Sequence, residues 1–261
     1  VQTDDLGFAT RKMAPAMASL AREKDDLLSP TELEAVVKIE NWDYRHGVES
    51  IGATVFNYWI DSLLISIFGD ELNEKELRTY VSSDDSWIAL QDLLVEQNSR
   101  WWDDTRTPEK ETAADIATRA LQHACALMRE RLGEEISVWR WGRVHTLTGT
   151  HPFGYIPGLG RLLNIGPHAS GGSTPNVNNM LSKTLHDYHV LAGPSTRRLI
   201  DFSKPDQSLT ILPTGNSGHI HSEYYDNQAE MFVRGEYRSA LYNWDEIEKA
   251  AAHEMRITPA K

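Results

Sequence analysis

Glycine and proline are spread unevenly along this 261-residue chain: twelve of the 17 glycines and eight of the 11 prolines fall at or after Gly142. Both residues interrupt helices, glycine through its backbone freedom and proline through its missing N–H. Long helices are therefore confined to the first half. There Ser29-Pro30-Thr31-Glu32 supplies a capping serine, a proline at the first helical position and a capping-box glutamate. Leu33, Val36 and Val37 continue at helical spacing. Residues 48–68 predict a longer apolar helix with Gly69 as its stop, and residues 84–96 repeat the pattern. Thr107-Pro108-Glu109 predicts the opening of another helix that runs to Leu132, where Gly133 can adopt a left-handed closing conformation.

After Gly142 the β-like runs are short: 143–148, 185–192, 197–202 and 208–213. Residues 186–191 alternate little, as in a strand covered on both faces. Two helices, over 223–233 and 244–253, are expected to close the chain. The fold class expected is α+β, mainly helical over 1–138 and β-rich over 139–261. No repeat, charge block or low-complexity linker separates the halves, so they are expected to interlock. The Gly/Pro/Asn/Ser-rich stretch 151–179 exceeds the usual loop length, as either a functional or a covering segment.

Composition narrows the function classes. With 26 basic and 38 acidic residues the chain carries a net charge of −12, which argues against nucleic acid as a partner. No run approaches the roughly 20 apolar residues of a membrane span; the longest, 60–68, contains Asp61 and Ser62. One cysteine, Cys125, excludes an internal disulfide framework.

Individual motifs say little about chemistry. Thr214-Gly215-Asn216-Ser217-Gly218-His219 has the wrong spacing for a nucleophile elbow and reads as a tight turn. His219 and His221 are spaced to share one face of a strand, and His186 and His189 to approach each other on a turn. Neither pair fits a zinc signature, which leaves a metal-dependent hydrolase using these four histidines as a minor alternative. Gly158-Leu159-Gly160 lacks the third glycine of a dinucleotide fingerprint. Trp101-Trp102 and Trp139-Arg140-Trp141 read as core packing, or else as aromatic ligand platforms. Arg197 and Arg198 beside Asp201 read as a structural ion pair.

The order of motifs is more specific. Trp139-Arg140-Trp141-Gly142-Arg143-Val144-His145 is followed by His151-Pro152, Gly171-Gly172-Ser173 and Gly193-Pro194-Ser195-Thr196-Arg197-Arg198-Leu199-Ile200-Asp201. Then come Gly215-Asn216-Ser217-Gly218-His219, Ser222-Glu223-Tyr224-Tyr225-Asp226-Asn227-Gln228 and Gly235-Glu236-Tyr237. In the first half, Gln2-Thr3-Asp4 looks like a family helix start, and Trp101-Trp102-Asp103-Asp104 with Thr107-Pro108 agrees in place. This succession resembles the C-terminal part of the β chain of the penicillin amidase family (penicillin, cephalosporin and acyl-homoserine-lactone acylases).

The resemblance implies an αββα N-terminal-nucleophile hydrolase sandwich, cut from a zymogen into α and β chains and held in the periplasm or secreted. Its activity would be hydrolysis of a small-molecule acyl amide through an acyl-serine intermediate, with the serine's own α-amine as base. Val1 is not Ser, Thr or Cys, so the nucleophile, the oxyanion-hole asparagine and any calcium-binding residues are expected upstream. The partners implied are the α chain and the N-terminal half of the β chain; this segment alone is expected to be inactive and to hold no cofactor. Asp201 matches the position of an acidic residue that, in cephalosporin-acylase-like relatives, orients an active-site histidine. Gly142, Gly172 and Gly215 would permit close backbone approach, and His145, Ser195 and Tyr225 would satisfy buried polar groups. A non-catalytic binding domain derived from the family is the other alternative.

Overall fold

The computed structural model describes residues 2–182, 185–251 and 254–259. Their contacts group into two compact units, Val1–Thr148 with Gly166–Gly193, and Gly149–Ile165 with Pro194–Lys261. The first half is helical: α1 Thr10–Arg22, α2 Pro30–Glu40, α3 Ile51–Phe68, α4 Glu74–Val81, α5 Asp84–Val95 and α6 Ala113–Leu132. The second half runs β1 Thr146–Gly149, α7 Gly160–Leu163, β2 Ile165–Ala169, β3 Leu181–Ser182, β4 Val190–Ala192, β5 Arg197–Leu199, β6 Leu209–Ile211, α8 Ala229–Val233, β7 Arg238–Ser239 and α9 Trp244–Ala250. Among the described residues the strands make three small sheets, β1-β2, β3-β4 and β5-β6-β7, and the pairings β3-β4, β5-β6 and β6-β7 are antiparallel.

The core of the first unit is α3 against α6. α3 buries Val55, Phe56, Trp59, Ile60, Leu63 and Leu64 completely, each large side chain contributing about 1.5–3 kcal/mol. Trp59 Nε1 donates to the Ala117 carbonyl of α6 at 2.9 Å, which fixes the pairing. α3 is long and apolar enough to cross a membrane, but most of it is buried inside the protein, the behaviour of a core helix. Ser29 and Glu32 form the expected capping box on α2, and Asn73 with Glu76 forms another on α4, a helix absent from the sequence reading. The second unit packs Ile211, Ala229 and Phe232.

Several boundaries differ from expectation, each for a local reason. The first helix begins at Thr10 and not at Gln2-Thr3-Asp4; Asp4 and Asp5 instead ion-pair with Arg45. α6 begins after Thr112, which makes a capping box with Asp115. Residues 104–111 wrap around the Glu111 carboxylate, which accepts from the Asp104 N–H, the Thr107 hydroxyl and Arg119. Gly133 closes α6 with a positive φ of 110°.

The expected strand over 185–192 is formed only as β4, and Leu191 is exposed, so it is not covered on both faces. Leu185 and His186 have φ of 60° and 65°, incompatible with a strand. The stretch 151–179 holds α7 and β2 and is not one loop. The helix expected over 223–233 shrinks to α8 because residues 217–225 are turns, with the Ser217 N–H on the Tyr224 carbonyl. α9 ends at Ala250; residues 252 and 253 of the expected helix, and Val1, lie outside the described residues.

Candidate functional site

Asp201 lies just past β5, on the sheet of the second unit. In β5, Arg197 turns inward: its guanidinium sits 3.9 Å from the Phe232 ring centroid and donates to the Phe232 carbonyl at 2.7 Å. Two residues beyond the strand, Asp201 closes a small turn by accepting from the Ser203 hydroxyl at 2.7 Å and the Ser203 N–H at 2.9 Å. Both bonds fall on Oδ1, so the carboxylate keeps acceptor capacity on Oδ2. These two donors hold the carboxyl below its ordinary range. Asp201 is thus an exposed, ionised acceptor held by Ser203 in the turn after β5.

The other motif residues divide. Gly172 has φ +84° and lies so close to the Asn178 carbonyl that any Cβ would collide; at Gly215 a Cβ would collide with the Tyr224 carbonyl. His145 is fully buried, stacked on Trp141 with centroids 4.7 Å apart, its Nδ1 2.7 Å from the Ser170 carbonyl and its Nε2 3.1 Å from the Met180 carbonyl. Burial holds its pKa down against those two carbonyls. Tyr225 donates to the Leu163 carbonyl. Ser195, expected to be buried, is exposed because it stands in the bend before β5.

Trp139 and Trp141 are core residues, donating to the Gly133 and Gly172 carbonyls. Trp102 is core too, whereas Trp101 is only half-buried. Ser217 lies in a tight turn and accepts from the His219 N–H. His219 and His221 lie in turns and not on a strand, their rings 5.7 Å apart. His186 and His189 have separate partners, Ser62 and Thr146. No group of three or more His, Cys, Asp or Glu is placed to hold a metal ion among the described residues. Cys125 is buried, and its thiol is pushed up to about 12 by burial, so it is no nucleophile.

One polar cluster is missing from the sequence reading. The buried Asp61 and Ser62 of α3 meet the segment after β3. Asp61 Oδ2 accepts from the His186 N–H at 2.9 Å and the Tyr188 hydroxyl at 2.8 Å. Ser62 Oγ lies 3.2 Å from His123 Nδ1 and 3.1 Å from His186 Nε2. Burial raises the Asp61 pKa to about 6 against these donors, and burial, His123 and Arg131 lower that of His186 to about 4. Although serine, histidine and aspartate meet here, Ser62 is 1% exposed. A hydroxyl with no path to a substrate cannot attack one; the cluster latches the 185–190 segment to α3 and explains its left-handed backbone. The signal available in sequence was two adjacent polar residues inside an apolar helix.

The family model described as "Penicillin amidase" matches residues 1–249. The protein named acyl-homoserine lactone acylase QuiP from Pseudomonas fluorescens (strain Pf0-1) is 28% identical over 247 residues, 90% of this chain and 29% of that protein. Its namesake from Pseudomonas aeruginosa PAO1 is 26% identical over 269 residues, 95% of this chain and 32% of that protein. Among solved structures, a thermostable penicillin G acylase from Alcaligenes faecalis matches with a TM-score of 0.56 and 15% identity, over 99% of this chain and 48% of that one. That likeness concerns the fold: a helical first half followed by small sheets. The chain spans about a third of the length of the curated relatives it matches.

Proposed function

The chain belongs to the penicillin amidase family, and from that premise we propose that it forms the C-terminal part of the β chain of an acylase. The complete enzyme hydrolyses a linear amide to a carboxylic acid and a free amine. The observation that carries this reading is the match of the family model to residues 1–249. The relatives' names point to an acyl-homoserine lactone as the first substrate to assay.

In this reading the nucleophile is an N-terminal serine outside these 261 residues. Its hydroxyl attacks the amide carbonyl while its own α-amine takes the proton, and oxyanion-hole donors outside this segment stabilise the tetrahedral intermediate. Collapse expels the amine and leaves an acyl-serine, which water then hydrolyses. Asp201 acts as a positioning residue: its ionised, exposed carboxylate suits acceptance of an imidazole N–H from a histidine elsewhere in the enzyme, fixing that ring's tautomer. The α chain and the N-terminal half of the β chain are the structural partners, any calcium site lies in residues outside this segment, and the processed enzyme resides in the periplasm or is secreted.

Large apolar side chains left exposed in the second unit support the assignment to a larger assembly: Phe153, Tyr155, Leu162, Phe202 and Trp244. The test is expression of the complete reading frame followed by N-terminal sequencing of its products and assay for free amine. A new serine terminus with amine release is the expected result. Unprocessed protein that binds acyl-homoserine lactones without cleaving them would replace this reading with a binding domain.

A further inference from the structure

The helical unit also carries a cavity of about 1110 Å³, at the C-terminal end of α3 and between α4, α5 and the turn Arg100–Trp102. Small-molecule pockets span about 300–1,000 Å³, so this one is large enough for an organic ligand. Its apolar wall is a row of aromatic rings. Tyr80 meets Phe68 edge-on with centroids 4.9 Å apart, and Phe68 meets Trp101 at 5.5 Å.

Around that wall stand Asp85, Asp92 and Glu96, with the capping residue Glu76 and one lysine, Lys75. Some carboxylates of this unit are matched by a cation, as Glu40 is by Arg22 and Asp115 by Lys24. Asp85, Asp92 and Glu96 make no ion pair with a described residue. A concave, partly apolar wall focuses their combined field instead of dispersing it into water. The three are not part of any group of three or more His, Cys, Asp or Glu placed to hold a metal ion among the described residues. Negative potential spread over an aromatic surface suits a cation that is itself extended and partly apolar. The Arg100 guanidinium already stands 5.6 Å from the Trp101 ring centroid, within cation–π range.

We propose that this cavity binds an organic ammonium ion with an apolar body, its charge among Asp85, Asp92 and Glu96 and its hydrocarbon part against Phe68, Tyr80 and Trp101. A neutral apolar ligand would leave the carboxylates repelling one another, and an anion would add to that repulsion. The inference rests on the cavity alone and holds whatever amide the complete enzyme cleaves.

The test is calorimetric titration of the complete, processed protein with benzyltrimethylammonium at low salt, beside 3-phenylpropanoate, which offers a similar aromatic body with the opposite charge. The cation should bind at a single saturable site, more weakly at physiological salt, and the anion should not bind. Asp92→Asn with Glu96→Gln, exposed positions on α5 and just past its end, should weaken binding by at least about fivefold through the lost field. Trp101→Leu should weaken it by a similar factor through the lost ring. Far-ultraviolet dichroism and melting of each variant confirm that it is folded. Absence of saturable cation binding, equal binding of the anion, or unchanged affinity in the folded double variant would each overturn the proposal.

Discussion

His46 is fully buried between Trp42 and Trp141, and neither of its ring nitrogens has a hydrogen-bond partner among the described residues. Burial and His145 lower its pKa to about 3, as burial and its neighbours lower that of His186 to about 4. A histidine depressed in the fold favours the folded state above its unfolded pKa near 6.5, and that benefit is lost as pH falls towards the folded value. Asp61, raised to about 6, has the opposite sign: its contribution is full below its unfolded pKa and is lost as pH rises through about 6. Between pH 7 and pH 5 the two histidines together cost roughly 4 kcal/mol and Asp61 returns roughly 1. Urea unfolding should therefore show a markedly weaker fold at pH 5, and His46→Phe should shrink that acid loss by about 2 kcal/mol. An acid loss identical in the variant would refute the assignment to His46. At Asp201 the expected signature is kinetic. In the complete enzyme, Asp201→Asn should lower kcat by about 10- to 1000-fold with KM little changed, and alter the pH profile, because an amide no longer holds the imidazole's charged form. A variant with the parent's kcat and pH profile would make the Ser203-bound carboxylate merely a turn residue.

At the scale of elements, α3 holds the helical unit together. Leu64→Ala should cost about 2–5 kcal/mol, since a fully buried core leucine leaves a cavity when truncated. The Asp61 latch predicts a more local result. Asp61→Ala should strip acceptors from His186 and Tyr188 and accelerate amide exchange across 185–192 more than in α6; uniform acceleration would contradict a local latch. These two elements also explain what the sequence made legible. The capping box of Ser29 and Glu32 and the stop at Gly133 involve residues within four positions of one another, so pattern suffices to find them. The false strand over 185–192 and the late start of α6 were decided by Asp61, more than 120 residues from His186, and by Glu111 gathering its own loop. No local propensity contains such a contact. For the site, Asp201 was reachable only through motif order, whereas its bond to Ser203 is local but carries no signature of its own.

For the whole molecule, the chain crosses between its two units at 148/149, 165/166 and 193/194, with no linker to mark the crossings. The second unit leaves Phe153, Tyr155, Leu162, Phe202 and Trp244 exposed, at 61%, 82%, 62%, 92% and 70%. Solitary exposed apolar residues are ordinary, but this many in one small unit suit a surface covered by more protein. The 261-residue chain on its own should therefore self-associate in sedimentation at micromolar concentration, and a monomer melting cooperatively would count against a covered surface. The central claim concerns chemistry, and amine release tests it most directly. Complete, processed protein incubated with an N-acyl-homoserine lactone should liberate one amine and one carboxylic acid per amide consumed, with the acyl group trapped on the N-terminal serine of the β chain at early times. No amine released from this substrate or from penicillin G, with the protein folded and processed, would contradict it.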